Sequence, residues 1–333
     1  ARFRGPDLDS AVPAELVAAL TQAAPPSIVR APLPSYPDFG DEGPPTMALR
    51  GRPAVISGSD MREEVERRVR EGEGLEGLDL SDTDLSGFDL SGRKLVGARF
   101  DRANLSGCGL RGVDLSGVSL EGANLRGAQL DDAMLERTNL VGADLSGASL
   151  VRCFLTDANL STAIANEASF DQASGQRTIF ARMRAEGARF TNASLDGADF
   201  TEAHLDAANF DAALLPEARL YEASAEEASF VRATLVSARL DGAVLSRSRF
   251  DGATADDSLW DRAVLDGASL VGAQLVGASF TKASLREADL SRAKLDDARF
   301  NRATLTRARV VGTDLTVATL DGAELSGMVT EPG

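Results

Sequence analysis

From Leu75 to Leu325 an apolar residue returns at nearly every fifth position without a break. Of the 51 positions numbered in fives over that span, 44 are Leu or Phe; the exceptions are Ala165, Gly175, Ala185, Ala225, Ala255, Trp260 and Val310. Two residues before each centre stands a small residue, nearly always Ala from 98 onward, as in Ala103-Asn104-Leu105 and Ala198-Asp199-Phe200. The other three places hold mostly Asp, Asn, Ser, Thr, Arg, Glu and Gly. A period of five suits neither a 3.6-residue helix, which would carry the leucines round all its sides, nor a two-residue strand. The pattern instead predicts one short straight segment and one corner per pentad. The centre and the small residue point inward and the other three positions face water. Coils of such segments, stacked, pair their backbone groups with the coils above and below.

The number of sides follows from the bulky centres. All ten Phe centres, from Phe100 to Phe300, have numbers divisible by ten. Ala165, Gly175, Ala185, Ala225 and Ala255 each adjoin an aromatic centre, which is volume compensation in a packed interior. Aromatics entering from two opposite walls need an even number of sides, and four sides with 20 residues per coil is the natural solution.

The runs Ala-Asp/Asn-Leu-Ser-Gly, as at 143–147, resemble the pentapeptide-repeat family. The resemblance covers about three quarters of the chain and implies an all-β solenoid, a right-handed four-sided parallel β-helix. With four centres per coil it has about 13 coils and a length of about 60 Å.

Before the repeat lie a candidate helix with Leu16, Val17 and Leu20 on one face, then seven prolines between 25 and 45. A second helix opens near Ser59 or Asp60 and carries Met61, Val65 and Val69 in one stripe. It is expected to cap the first coil, whose small sites are irregular (Leu78, Phe88, Arg93). The chain thus divides into a leader with a short helix and Pro-rich connector (1–58), a capping helix (59–74), the β-helix (75–327) and a tail (328–333). The apolar residues Val310, Val311, Val317, Met328 and Val329 mark the far end for one of two covers. Either a second copy meets it end to end, which the resemblance also suggests, or the short tail folds over it.

Candidate chemistry is sparse. Cys108 and Cys153 occupy small inward sites more than two coils apart, about 11 Å along the axis, too far for a disulfide. His204 is the only histidine and sits at an outward site. Gly107-Cys108-Gly109-Leu110-Arg111-Gly112 spells a dinucleotide fingerprint but lacks its strand-to-helix setting. No catalysis, metal or cofactor is expected. No apolar run reaches membrane-spanning length and no secretory signal is visible, so no membrane partner is expected. A bacterial cytoplasmic location is expected on that basis, for a chain whose first residue, Ala1, leaves a trimmed N-terminal address open.

Charge carries the remaining signal. Residues 71–333 hold 41 acidic and 26 basic side chains, a net −15. The wall centred on 75, 95 and onward has 12 acidic and 5 basic residues and the opposite wall 10 and 5, whereas the two Phe-bearing walls are nearly balanced. Asp196, Glu217, Glu226, Glu227, Asp256, Asp257 and Asp266 form the densest acidic stretch and are the candidate partner-binding residues. Two functions are compatible with this. One is a rigid protein-binding rod or adaptor in a larger assembly; the resemblance extends to repeats fused to modules of bacterial secretion systems. The other, also implied by the family, is a mimic of duplex DNA that binds a type II topoisomerase such as gyrase and confers resistance to its poisons. Either way the partner is a protein, not nucleic acid. A 60 Å duplex carries about 35 phosphate charges, at one per ~1.7 Å, which the rod does not approach.

Overall fold

The structure, a computed structural model, describes residues 58–330. The leader's short helix and Pro-rich connector, and the last three residues of the tail, lie outside the described residues. From the first coil to the last, parallel bridges join residues 20 apart: Asn104 pairs with Asn124, Asn124 with Asp144, Gly109 with Gln129. Four pentads therefore make one turn of the solenoid. We name the walls by their centres: the first 75, 95 to 315; the second 80, 100 to 320; the third 85, 105 to 325; the fourth 90, 110 to 310.

Each pentad repeats one hydrogen-bond scheme. The amide of the centre donates to the coil above (Leu105 N to Asn124 O, 2.7 Å), as does the amide two residues on (Gly107 N to Arg126 O, 2.8 Å). The residue before the centre donates to the coil below (Asn104 N to Thr83 O, 2.9 Å). The corner closes on itself through Ala103 N to Phe100 O, 3.0 Å. The second corner residue has a positive φ and the first does not, the signature of a type II turn. Glycine fits that place, as at Gly107 (φ 66°), but Arg102 (φ 57°) and Asp132 (φ 59°) adopt it too. A non-glycine residue there costs about 1 kcal/mol. The cost is offset because the same amide bonds the next coil, as Arg102 N does to Glu121 O at 2.8 Å.

The interior is solid. Phe170, Phe190, Phe210, Phe230 and Phe250 stack face to face on the fourth wall at 4.6–4.8 Å between successive rings. Phe180 and Phe200 enter from the second wall and meet them edge on. The first and third walls yield the room: Gly175 stands where an added Cβ would lie 2.9 Å from Leu155 Cβ. Polar residues at small inward sites bond a nearby centre's carbonyl, as Thr138 Oγ1 does to Leu115 O at 2.8 Å. Trp260 Nε1 donates to Ser258 Oγ at 2.6 Å.

Helix α1, Gly58–Glu71, lies over the first coil. Val65 is fully buried, with Met61 and Val69 packed beside it. Gly72, at φ 77°, ends the helix, and Glu73 N returns to Arg68 O at 2.8 Å as in a Schellman cap. Arg67 and Arg68 hold the Glu64 carboxyl down to about 2. The irregular small sites serve this cap. The Phe88 ring lies under the Arg62 guanidinium, and Arg93 Nη2 donates to Val69 O at 2.9 Å.

Candidate functional site

Nothing in the described residues assembles a reaction centre. Cys108 is buried, donates Sγ–H to Leu85 O at 2.9 Å, and burial pushes its thiol up to about 11. Burial raises Cys153 further. Both thiols therefore stay protonated and packed. His204 lies exposed on the third wall, and no group of metal-binding side chains occurs among the described residues. Gly107 and Gly112 of the fingerprint-like run are corner glycines, with no helix after them. No helix among the described residues is long and apolar enough to cross a membrane.

The carboxylates of the rod do two kinds of structural work. In the backbone scheme one donor per pentad, the amide just after the centre, has no backbone acceptor. In many pentads, though not all, a carboxylate or carboxamide takes it. In one form Asp or Asn before the centre reaches two residues on: Asp144 Oδ1 accepts from Ser146 N at 3.0 Å, and Asn159 from Ser161 N at 3.0 Å. In the other form Asp after the centre reaches the equivalent amide one coil up. Asp211 accepts from Val231 N at 3.0 Å and from Ser229 Oγ at 2.5 Å. Asp206 and Asp261 do the same with Glu226 N and Thr281 N, both 2.9 Å. At corners, acids pair with arginines one coil away, as Arg152 does with Asp132 and Arg177 with Asp157. Asp241 is an exception. Burial raises its pKa against the pull of Arg239, and Asp261 one coil on raises it further.

The seven candidate acids fall on opposite walls. Glu226, Glu227 and Asp266 are on the third wall, and each faces an arginine. Arg247 lies 3.2 Å from Glu226 and 2.9 Å from Glu227, and Arg286 3.7 Å from Asp266. Asp196, Glu217, Asp256 and Asp257 are on the first wall, along one edge. Asp256 accepts from Val276 N at 3.0 Å. Asp196 and Glu217 are exposed, and among the described residues no ion pair engages them. No flat partner can touch both sets together.

The first wall has a second feature. Of the seven large apolar side chains left exposed, five (Val96, Met134, Phe154, Leu214, Val317) belong to it. Three of these occupy its midline, the place before each centre. From 134 to 274 that line reads Met134, Phe154, Ser174, Ser194, Leu214, Thr234, Thr254, Gln274, without a charge. The other three midlines are interrupted over the same coils by Arg219, Arg184 and Arg249. Apolar residues at outward positions were the available sequence signal, masked by the wall's acidic total.

At the far end, Val310 and Met328 are buried, Val311 is half-buried, and Val317 and Val329 are exposed. Leu320 and Leu325, in the last coil, are only partly covered. The amides of Leu320, Gly322, Leu325 and Gly327 find no backbone acceptor among the described residues.

A family model described as Pentapeptide repeats (8 copies) matches in nine segments, some of them overlapping, between residues 75 and 328. Among solved structures, HetL, a pentapeptide repeat protein involved in heterocyst differentiation regulation from the cyanobacterium Nostoc sp. strain PCC 7120, is 27% identical. That alignment covers 81% of this chain and 97% of HetL, with a TM-score of 0.29. Full-length QnrB1, a plasmid-mediated fluoroquinolone resistance protein, is 20% identical over 63% of this chain and 90% of its own, at a TM-score of 0.22. Rfr23, from the cyanobacterium Cyanothece 51142, is 19% identical over 41% and 91%, at 0.24. No curated protein matches. The repeat match alone spans most of the chain, and with the 20-residue coil it settles the family: this chain belongs to the pentapeptide repeat proteins, and its fold is their right-handed quadrilateral β-helix.

Proposed function

We propose that the protein is a non-enzymatic, rigid rod that works by binding another protein, as an adaptor in a larger assembly such as a secretion system. One observation carries this reading. The interior is filled by stacked rings and leucines, and every outward residue belongs to a regular, self-bonded wall, so chemistry is left to the exterior surface. Pentapeptide repeat proteins are in general structural or binding proteins, which agrees. The gyrase-binding alternative draws on the net −15 of residues 71–333. Against it, arginines one coil away pair with Asp132, Asp157 and Glu227, while backbone amides engage Asp206, Asp211 and Asp261. A supercoiling assay with gyrase, with and without a poison, separates the two. The adaptor reading expects no change across a wide titration. Inhibition or protection at low protein concentration overturns it in favour of the mimic.

We also propose that a second copy meets the far end, covering Val317, Leu320, Leu325 and Val329, with Val311 beside them. Light scattering is expected to give twice the chain mass, and Leu320→Asp with Leu325→Asp to return it to one. A monomeric mass for the unmodified chain at high micromolar concentration removes this contact from the account.

A further inference from the structure

The first wall combines two features found together nowhere else on the rod. From 134 to 274 it has an uncharged midline bearing the exposed Met134, Phe154 and Leu214. Along one edge of the same wall run Asp196, Glu217, Asp256 and Asp257, beside the half-buried Pro216 and Val236; toward Met134 this edge also carries Glu136 with Arg137 and the Asp157–Arg177 ion pair, so it is acidic on balance. An apolar centre with a charged rim on one side is the anatomy of a protein-binding surface. Met134 and Leu214 are four coils apart, about 19 Å at ~4.8 Å per coil. An α-helix of about 13 residues covers that distance, and its pitch of ~5.4 Å nearly matches the coil spacing. A helix laid along the wall would thus present one apolar side chain per turn to the midline.

We propose that the first wall is a docking face for a basic amphipathic α-helix of a partner protein. The helix seats its apolar stripe on Met134, Phe154 and Leu214 and aligns Lys and Arg residues with Asp196 and Glu217, which flank the same coils. This deepens the reading of the rod as a protein-binding adaptor and rests on it. Charge complementarity selects the occupant. The rim is acidic, so an acidic or neutral helix gains nothing there and a nucleic acid is repelled. The third wall offers no equivalent: its midline carries Arg184 and His204 between its apolar residues, and its candidate acids already face Arg247 and Arg286.

The test uses a labelled 18-residue Leu/Lys peptide with its leucines in one helical stripe, and an isomer of the same composition with the leucines scattered. Binding to the full chain is followed by fluorescence anisotropy. The stripe peptide is expected to bind about tenfold more tightly than its isomer, because only it can cover the midline. Phe154→Ser with Leu214→Ser, and separately Asp196→Asn with Glu217→Gln, each weaken it several-fold. Glu226→Gln with Glu227→Gln, on the third wall, leaves it unchanged. The replaced residues are exposed or, at Glu226, half-buried, and an unaltered melting curve verifies that each variant is folded. Equal binding of the two peptides, or no binding of either, overturns the proposal. So does an equal loss from the third-wall pair, which moves the contact while leaving a protein-binding rod intact.

Discussion

Replacing Phe210 by Ala is expected to destabilise the rod by about 3–5 kcal/mol, the range for deleting a buried aromatic ring. The size follows from its place in the stack. Phe190 and Phe230 lie on its two faces at 4.6 and 4.8 Å, and Phe200 meets its edge at 5.6 Å. The backbone on either side is tied to both neighbouring coils, so the walls cannot collapse into the void. Phe210→Leu should cost far less, since 34 other centres are already Leu. Urea unfolding followed by fluorescence of the single Trp260 measures both. If the Ala variant loses no more than the Leu variant, the interior is not packed as described.

The second large effect concerns carboxylates. Asp206, Asp211 and Asp261 each take an amide and a hydroxyl from the coil above. Changing all three to Ala leaves six donors without these acceptors and is expected to cost about 3 kcal/mol in total, at about 1 kcal/mol per site. The three sites have separate partners, so their effects should add. Changing all three to Asn keeps an acceptor oxygen at each site and should cost less than about 1 kcal/mol, although it removes three negative charges. Charge and hydrogen bonding are thereby separated. An electrostatic surface role predicts the two triple variants to behave alike.

Much of this fold is legible in the sequence. The five-residue period set the inward positions, and the even spacing of Phe centres set four walls. The positive φ was also signalled, by the glycines that recur two places after the centre. The roles of the acids were harder to see. Read by composition, Asp206 and Asp211 are surface charge, and only the stacked coil shows the amide each one reaches. Yet Asp144-Leu145-Ser146 is an Asx turn by its letters, since Asp commonly accepts from the amide two residues on. The candidate acids were harder still. Their density along the chain picked out 196–266, but density in sequence runs around all four walls. It joined Asp196 and Glu226, which the coil separates. The exposed line of Met134, Phe154 and Leu214 was hidden for a related reason, because its members are 20 and 60 residues apart and become neighbours only once the coil length is known.

The central claim is that most of the rod's aspartates serve its own backbone. Amide hydrogen exchange, resolved by residue, tests it most directly at Val231 and Thr281, the amides held by Asp211 and Asp261. Exchange there should be slow in the unmodified chain and in the Asn variant, and clearly faster in the Ala variant, with the centres Phe210 and Leu235 unchanged. Equal exchange at both amides in all three proteins would contradict the claim and return these carboxylates to the surface.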